Sequence, residues 1–120
     1  MKQKNFIKSL TYALRGLGFF YRSEIHALYH GLAAALVIAA GFIFNISRLD
    51  WMIVIIAIAL VIISEMINTA IESLLDFIHP EKHPHVGNIK DLTAGLVLFS
   101  ALIAVALGIF VFYPEIVALL

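Results

Sequence analysis

Three long apolar stretches constrain this 120-residue chain more than anything else in it. A helix crossing a ~30 Å hydrocarbon core needs ~17–25 predominantly apolar residues. The first stretch runs from about His26 to Phe44, with Gly31 and Gly41 inside it. The second starts at Trp51, is uninterruptedly apolar to Ile63, and continues as helix to about Leu75 with polar residues set into it. The third runs from about Leu92 to Tyr113, where only Thr93 and Ser100 are polar. Pro114 is expected to stop it, as a proline just past a helix end should. No strand-type alternation of useful length occurs, and helices satisfy their own backbone groups in lipid. Composition closes the argument: with 62% apolar and 13% charged residues, too little polar surface exists for a small water-soluble domain. The fold class is therefore all-α membrane protein, one domain over 1–120, with spans at about 26–44, 51–75 and 92–113.

The N-terminal segment, about 5–22, reads differently. Phe6, Leu10, Ala13, Leu14 and Leu17 recur at helical spacing, while Lys4, Lys8, Arg15 and Arg22 fall largely elsewhere. That pattern predicts an amphipathic helix lying on the membrane surface. Tyr12, Arg15 and Arg22 interrupt any apolar core that a secretory signal would need. Basic residues also set orientation. Lys2, Lys4, Lys8, Arg15 and Arg22 precede the first span, Lys82 and Lys90 lie between the second and third, and the outer loop from Asn45 to Asp50 holds only Arg48. The expected topology puts the N-terminus in the cytoplasm and the C-terminus outside. A net charge of zero gives no electrostatic case for nucleic acid, and the lack of cysteine excludes disulfides and thiolate chemistry.

The second span carries the chemistry. Within Glu65 to Asp76 (EMINTAIESLLD), Glu65, Thr69, Glu72 and Asp76 share one face and Asn68 lies beside them. At ~100° per residue the four fall within roughly 60° of one another. Counted from Trp51 at the outer interface, Glu65 lies ~21 Å along the axis, still inside the hydrocarbon core. Ionisable groups at such depth are costly and mark functional sites. Stacked carboxylates repel unless they share a cation or a proton, so a divalent metal or protonated carboxyls are implied.

Glu24 just before the first span and Lys90-Asp91 just before the third share the inner level with Glu72 and Asp76. A hard oxygen-ligand pair (Glu24 with Glu72), a lysine and a deeper base candidate (Glu65) form a phosphoryl-transfer set: metal on phosphates, lysine on developing charge, carboxylate for a hydroxyl proton. The histidine-rich loop His79-Pro80-Glu81-Lys82-His83-Pro84-His85 lacks regular metal-ligand spacing and reads as a cover for a nucleotide. His26 and His30, four apart with no third ligand evident, read as interfacial residues. No Walker-type phosphate loop or protein-kinase signature is present.

The twelve-residue signature, followed by Lys90-Asp91, resembles that of the small bacterial integral-membrane lipid kinases, the prokaryotic diacylglycerol kinase and undecaprenol kinase family. The resemblance covers nearly the whole chain. It implies homotrimers with active sites at the cytoplasmic interface between subunits, in the bacterial cytoplasmic (inner) membrane. It implies an ATP- and Mg2+-dependent transfer to a lipid hydroxyl, with Glu65 as the catalytic base and Glu24 and Glu72 as the carboxylates holding the metal. Lys90 and Asp91 match the pair at the phosphates and nucleotide, Glu81 and His83 the nucleotide-contacting loop, and Tyr12 an aromatic near the adenine. Asn68 and Asp76 match positions that support the site. Asn5 stands where the enterobacterial pattern has a basic residue, and Leu92-Thr93-Ala94-Gly95 looks closer to the Gram-positive undecaprenol kinase branch. The acceptor implied is diacylglycerol or undecaprenol.

Two other readings were open. A small oligomeric proton- or cation-coupled transporter would use Glu65 but leave Glu24, Lys90 and Asp91 without a task. A purely structural subunit would leave the carboxylate stripe unexplained. In every reading the stripe cannot face lipid, and Ala33, Ala34, Ala35, Gly41, Gly95, Ala101, Ala104 and Gly108 suit close helix contacts, so a cyclic homo-oligomer is expected. Glu24 and Glu65 could then belong to one chain or to two.

Overall fold

The computed structural model describes residues 5–120, which form four helices and no strand. They are α1 (Phe6–Ser23), α2 (Ile25–Ile43), α3 (Arg48–Ile78) and α4 (Pro84–Val117). Lys2 and Lys4, used above for orientation, lie outside the described residues. Three helices, α2, α3 and α4, are long and apolar enough to cross a membrane. Their outward side chains, Leu28, Leu32 and Leu36 on α2, Ile55 and Ile56 on α3, and Leu98, Phe99 and Leu102 on α4, are uncovered by protein. Lipid is the solvent that such a surface fits.

Each helix starts where a side chain satisfies free backbone N–H groups. Asn5 Oδ1 accepts from Lys8 N at 2.8 Å to open α1, and Ser47 Oγ accepts from Asp50 N at 3.1 Å to open α3. Asp50 in the first turn of α3 also faces the positive end of the helix dipole. His83 caps α4 by accepting from His85 N at 3.1 Å, with Pro84 in the first turn where its missing N–H costs nothing. The exposed apolar side chains Phe6, Leu10 and Leu14 of α1 fit a helix lying against the bilayer.

The link from α2 to α3 is tightly specified. Asn45 adopts φ 50°, Ile46 N donates to Gly41 O at 3.1 Å, and Asn45 N donates to Phe42 O at 3.2 Å. This is a Schellman closure, with asparagine tolerating the left-handed turn. Glycine is required at Gly41 because a Cβ there would lie 2.6 Å from the Trp51 ring. Trp51 also meets Phe42 at 4.9 Å between centroids, which fixes how α3 leaves the turn.

α3 and α4 form the most extensive contact, α2 packs on α3, and α1 touches the start of α2. Two ends of the bundle differ in chemistry. At the α2–α3 turn, Ile46, Val54 and Val111 form an apolar core, with Phe44 against Phe112 at 6.1 Å. Toward the α3–α4 loop, buried polar residues (Ser64, Glu65, Asn68, Thr69, Thr93 and Ser100) join the buried apolar Phe20, Ala27 and Leu75. In lipid, close packing rather than escape from water holds such helices together.

The expected stop at Pro114 is not observed, because α4 runs through it to Val117. The proline removes a single backbone donor, and its own carbonyl still accepts from Ala118 N at 3.1 Å. So close to the helix end, one lost bond does not break the last turn.

Candidate active site

The α3 stripe turns inward. Glu65, Asn68 and Thr69 are buried, Glu72 is half-buried and Asp76 exposed. Glu65 is 5% exposed in the single chain, so its carboxylate has to be met by protein or ligand. It is met by His30, whose Nε2 lies 3.0 Å from Glu65 Oε1. His30 was expected to be an interfacial residue; the structure corrects this and turns it onto the stripe. The spacing of His26 and His30 was a signal that one helix face carries both. Which of them meets α3 depends on how α2 is rotated against α3, and no local pattern encodes that.

Glu24 occupies the one-residue break between α1 and α2. Its backbone is extended, its N–H donates to Phe20 O at the end of α1, and its Oε1 accepts from His26 N at 3.2 Å at the start of α2. One residue thus closes one helix and opens the next, which brings its carboxylate to the mouth of the bundle. Glu24, His26, His30, Glu65, Asn68 and Glu72 line one cavity of about 530 Å³, with Ala94, Val97, Leu98 and Ala101 on the α4 side. Asn68 Oδ1 and Thr69 Oγ1 are buried with no hydrogen-bond partner. Each such orphan costs ~1–3 kcal/mol unless a ligand or neighbouring group satisfies it. Among the described residues, no three His, Asp or Glu side chains converge tightly enough to hold a metal ion alone.

Lys90 stands apart. Its Nζ donates to Asp76 Oδ1 at 2.6 Å, tying the start of α4 to the end of α3. It lines a second cavity of about 440 Å³ with Glu81, His83, His79, Lys82 and Gly87. Within that loop the His79 and His83 rings meet edge-on at 5.5 Å. Tyr12 and Asp91 line neither cavity. Tyr12 sits on α1 with the Arg15 guanidinium 5.9 Å from its ring centre, and Asp91 is exposed at the start of α4.

A third cavity, about 370 Å³ and almost wholly apolar, lies between α2, α3 and α4 and is walled by small residues including Ala33, Ala34, Ala57, Ala104 and Gly108. It shares His30 and Ala101 with the carboxylate cavity. Glu65 and its histidine therefore stand where an apolar space adjoins an acidic one. An alcohol with an apolar tail fits that junction.

The family profile described as prokaryotic diacylglycerol kinase matches residues 11–112. An undecaprenol kinase from Bacillus subtilis (strain 168) is 36% identical over 110 residues, covering 92% of this chain and 89% of the relative. A diacylglycerol kinase from Escherichia coli (strain K12) is 29% identical over 99 residues, covering 82% of this chain and 81% of the relative. A diacylglycerol kinase from Synechocystis sp. is 27% identical over 117 residues, covering 97% of this chain and 67% of the relative. The matched region contains both α3 and the junction of the cavities. The chain belongs to the prokaryotic diacylglycerol kinase family of lipid kinases, phosphotransferases with an alcohol acceptor.

Proposed function

We propose that this chain is an ATP- and Mg2+-dependent kinase of membrane lipids that phosphorylates the hydroxyl of diacylglycerol or undecaprenol at the cytoplasmic face of the bacterial inner membrane, with its N-terminus in the cytoplasm. The observation that carries this reading is the gathering of Glu24, Glu65 and Glu72 around one cavity that opens onto an apolar one. The names of the Bacillus subtilis and Escherichia coli relatives support the two acceptors.

In the reaction, the lipid oxygen attacks the γ-phosphorus of ATP. A new oxygen–phosphorus bond forms, the bridging bond to ADP breaks, and the hydroxyl proton passes to the Glu65 carboxylate. Glu65 suits the role because it is the deepest carboxylate of the stripe and borders the apolar cavity through His30. Glu24 and Glu72 supply hard oxygens, and Mg2+ is commonly held by one or two carboxylates plus substrate phosphates. The donor chemistry therefore fits Mg2+, which when bound would neutralise phosphate charge. Lys90 and Asp91 would meet the phosphates and nucleotide, Glu81 and His83 the nucleotide from the loop, and Tyr12 the adenine. Asp76 holds Lys90 by its ion pair, and the unpartnered Asn68 oxygen is an acceptor in the cavity wall.

A homo-oligomer, a trimer by family resemblance, would cover the part of the acidic cavity that one chain leaves open. The transporter alternative draws no support from the relatives. The test is direct: purified protein in detergent with ATP and Mg2+ is offered diacylglycerol, undecaprenol and unrelated lipid alcohols. Phosphorylation of either of the first two supports the reading, and failure on every lipid overturns it.

A further inference from the structure

We propose that His30 is a positioning residue for Glu65, holding one carboxylate oxygen so that the other is left to meet the acceptor hydroxyl. This rests on the reading of Glu65 as the base. Glu65 is nearly fully buried, and among the described residues the His30 contact is the one hydrogen bond its side chain makes. A base has to be ionised before it acts, and an ionised carboxylate only accepts. The proton in the His30–Glu65 contact is therefore on Nε2, which donates to Glu65 Oε1 across 3.0 Å. Oε2 remains free to take the lipid proton.

The surroundings make the donor necessary. Among the described residues no other side chain donates to Glu65, and a buried carboxylate with no donor at all is strongly disfavoured. His30 reaches Glu65 from the opposite helix, so it also fixes the carboxylate relative to α2, which carries Glu24 at its start. It lines both the acidic and the apolar cavity, the place where a hydroxyl at the end of an apolar tail arrives. Misplacing a reacting group by ~1 Å costs ~10²-fold in rate.

The experiment uses the full chain in detergent, with diacylglycerol and undecaprenol as acceptors and kcat and the KM for ATP as separate readouts. His30→Leu should lower kcat by about 10²-fold with the KM for ATP unchanged. His30→Gln, which keeps a side-chain N–H, should recover at least about a tenth of wild-type kcat. In a Glu65→Gln background, His30→Leu should cost nothing further, as two groups acting as a unit do. A His30→Leu enzyme near wild-type kcat, beside an inactive Glu65→Gln, overturns the positioning role and leaves the base intact. An active Glu65→Gln overturns the base reading itself. Parallel losses of kcat and ATP affinity in both His30 variants mean a merely structural role and also overturn the proposal. Should His30→Leu fail to fold, His30→Ala replaces it under the same criteria, and a folded but inactive His30→Gln also overturns the proposal.

Discussion

Lys90 Nζ and Asp76 Oδ1, 2.6 Å apart, join the first turns of α4 to the last turns of α3 across the His79–His83 loop. Lys90 borders the loop cavity rather than the carboxylate cavity, and its Asp76 partner holds the one lysine assigned to phosphates at that edge. Both partners are exposed enough for solvent to screen the pair, so it adds little to stability. Lys90→Ala is therefore expected to leave thermal unfolding in detergent nearly unchanged while raising the KM for ATP and lowering kcat. Asp76→Asn should give a smaller loss than Lys90→Ala, because it frees the ammonium without removing it. Equal losses would show that the pair acts as structure alone.

Glu65→Gln is expected to remove nearly all turnover while ATP binding persists. General-base catalysis contributes typically ~10²–10⁴-fold, and the amide cannot take the hydroxyl proton. Steady-state phosphorylation and ATP titration of the same preparation separate the two effects. A variant with more than about a tenth of wild-type rate contradicts the assignment.

Glu24→Ala and Glu72→Ala are each expected to raise the Mg2+ concentration needed for half-maximal rate. Their effects should combine far less than multiplicatively, since two ligands of one ion act as a unit. Magnesium titrations of both single variants and the double variant make the comparison. Independent losses would mean that the two carboxylates, though in one cavity, serve separate functions.

Local patterns in the chain carried most of this architecture. Span length and the 100° period are properties of one helix at a time, so the three crossing helices and the shared face of Glu65, Thr69, Glu72 and Asp76 could be read directly. The contacts between helices could not. His30 meeting Glu65 and Lys90 meeting Asp76 depend on how α2 and α4 are rotated against α3, which packing of the whole bundle decides. Pro114 misled for another reason: a proline signals loss of one donor, and near a helix end that loss is too small to stop the chain.

Gly41 offers a test of the fold away from the chemistry. A methyl group there would lie 2.6 Å from the Trp51 ring, which is also held against Phe42. Gly41→Ala is expected to destabilise by ~1–3 kcal/mol, the usual cost of overpacking. Thermal unfolding in detergent measures it, and Gly41→Ala with Trp51→Leu should recover part of the loss. A fully stable Gly41→Ala would mean that the turn has room to open.

The last expectation concerns which chain supplies the site. The family resemblance implies sites between subunits, yet Glu24, Glu65 and Glu72 already line a single cavity within one protomer, so a second chain is expected to add to these three carboxylates rather than to supply one of them. Glu24 reaches it because the α1–α2 break stands beside the inner end of α3, and Glu65 because α3 turns its stripe toward α2. Each mixed site in a hetero-oligomer of Glu24→Ala and Glu65→Gln subunits would then still lack one of the two groups. Mixing these inactive variants is expected to restore no activity, provided that subunit exchange is verified with differently tagged chains. Restored turnover would show that Glu24 of one subunit works with Glu65 of another. As a control, wild-type subunits diluted with the double variant should lose activity in proportion to their own number, since each intact chain carries its own carboxylate set.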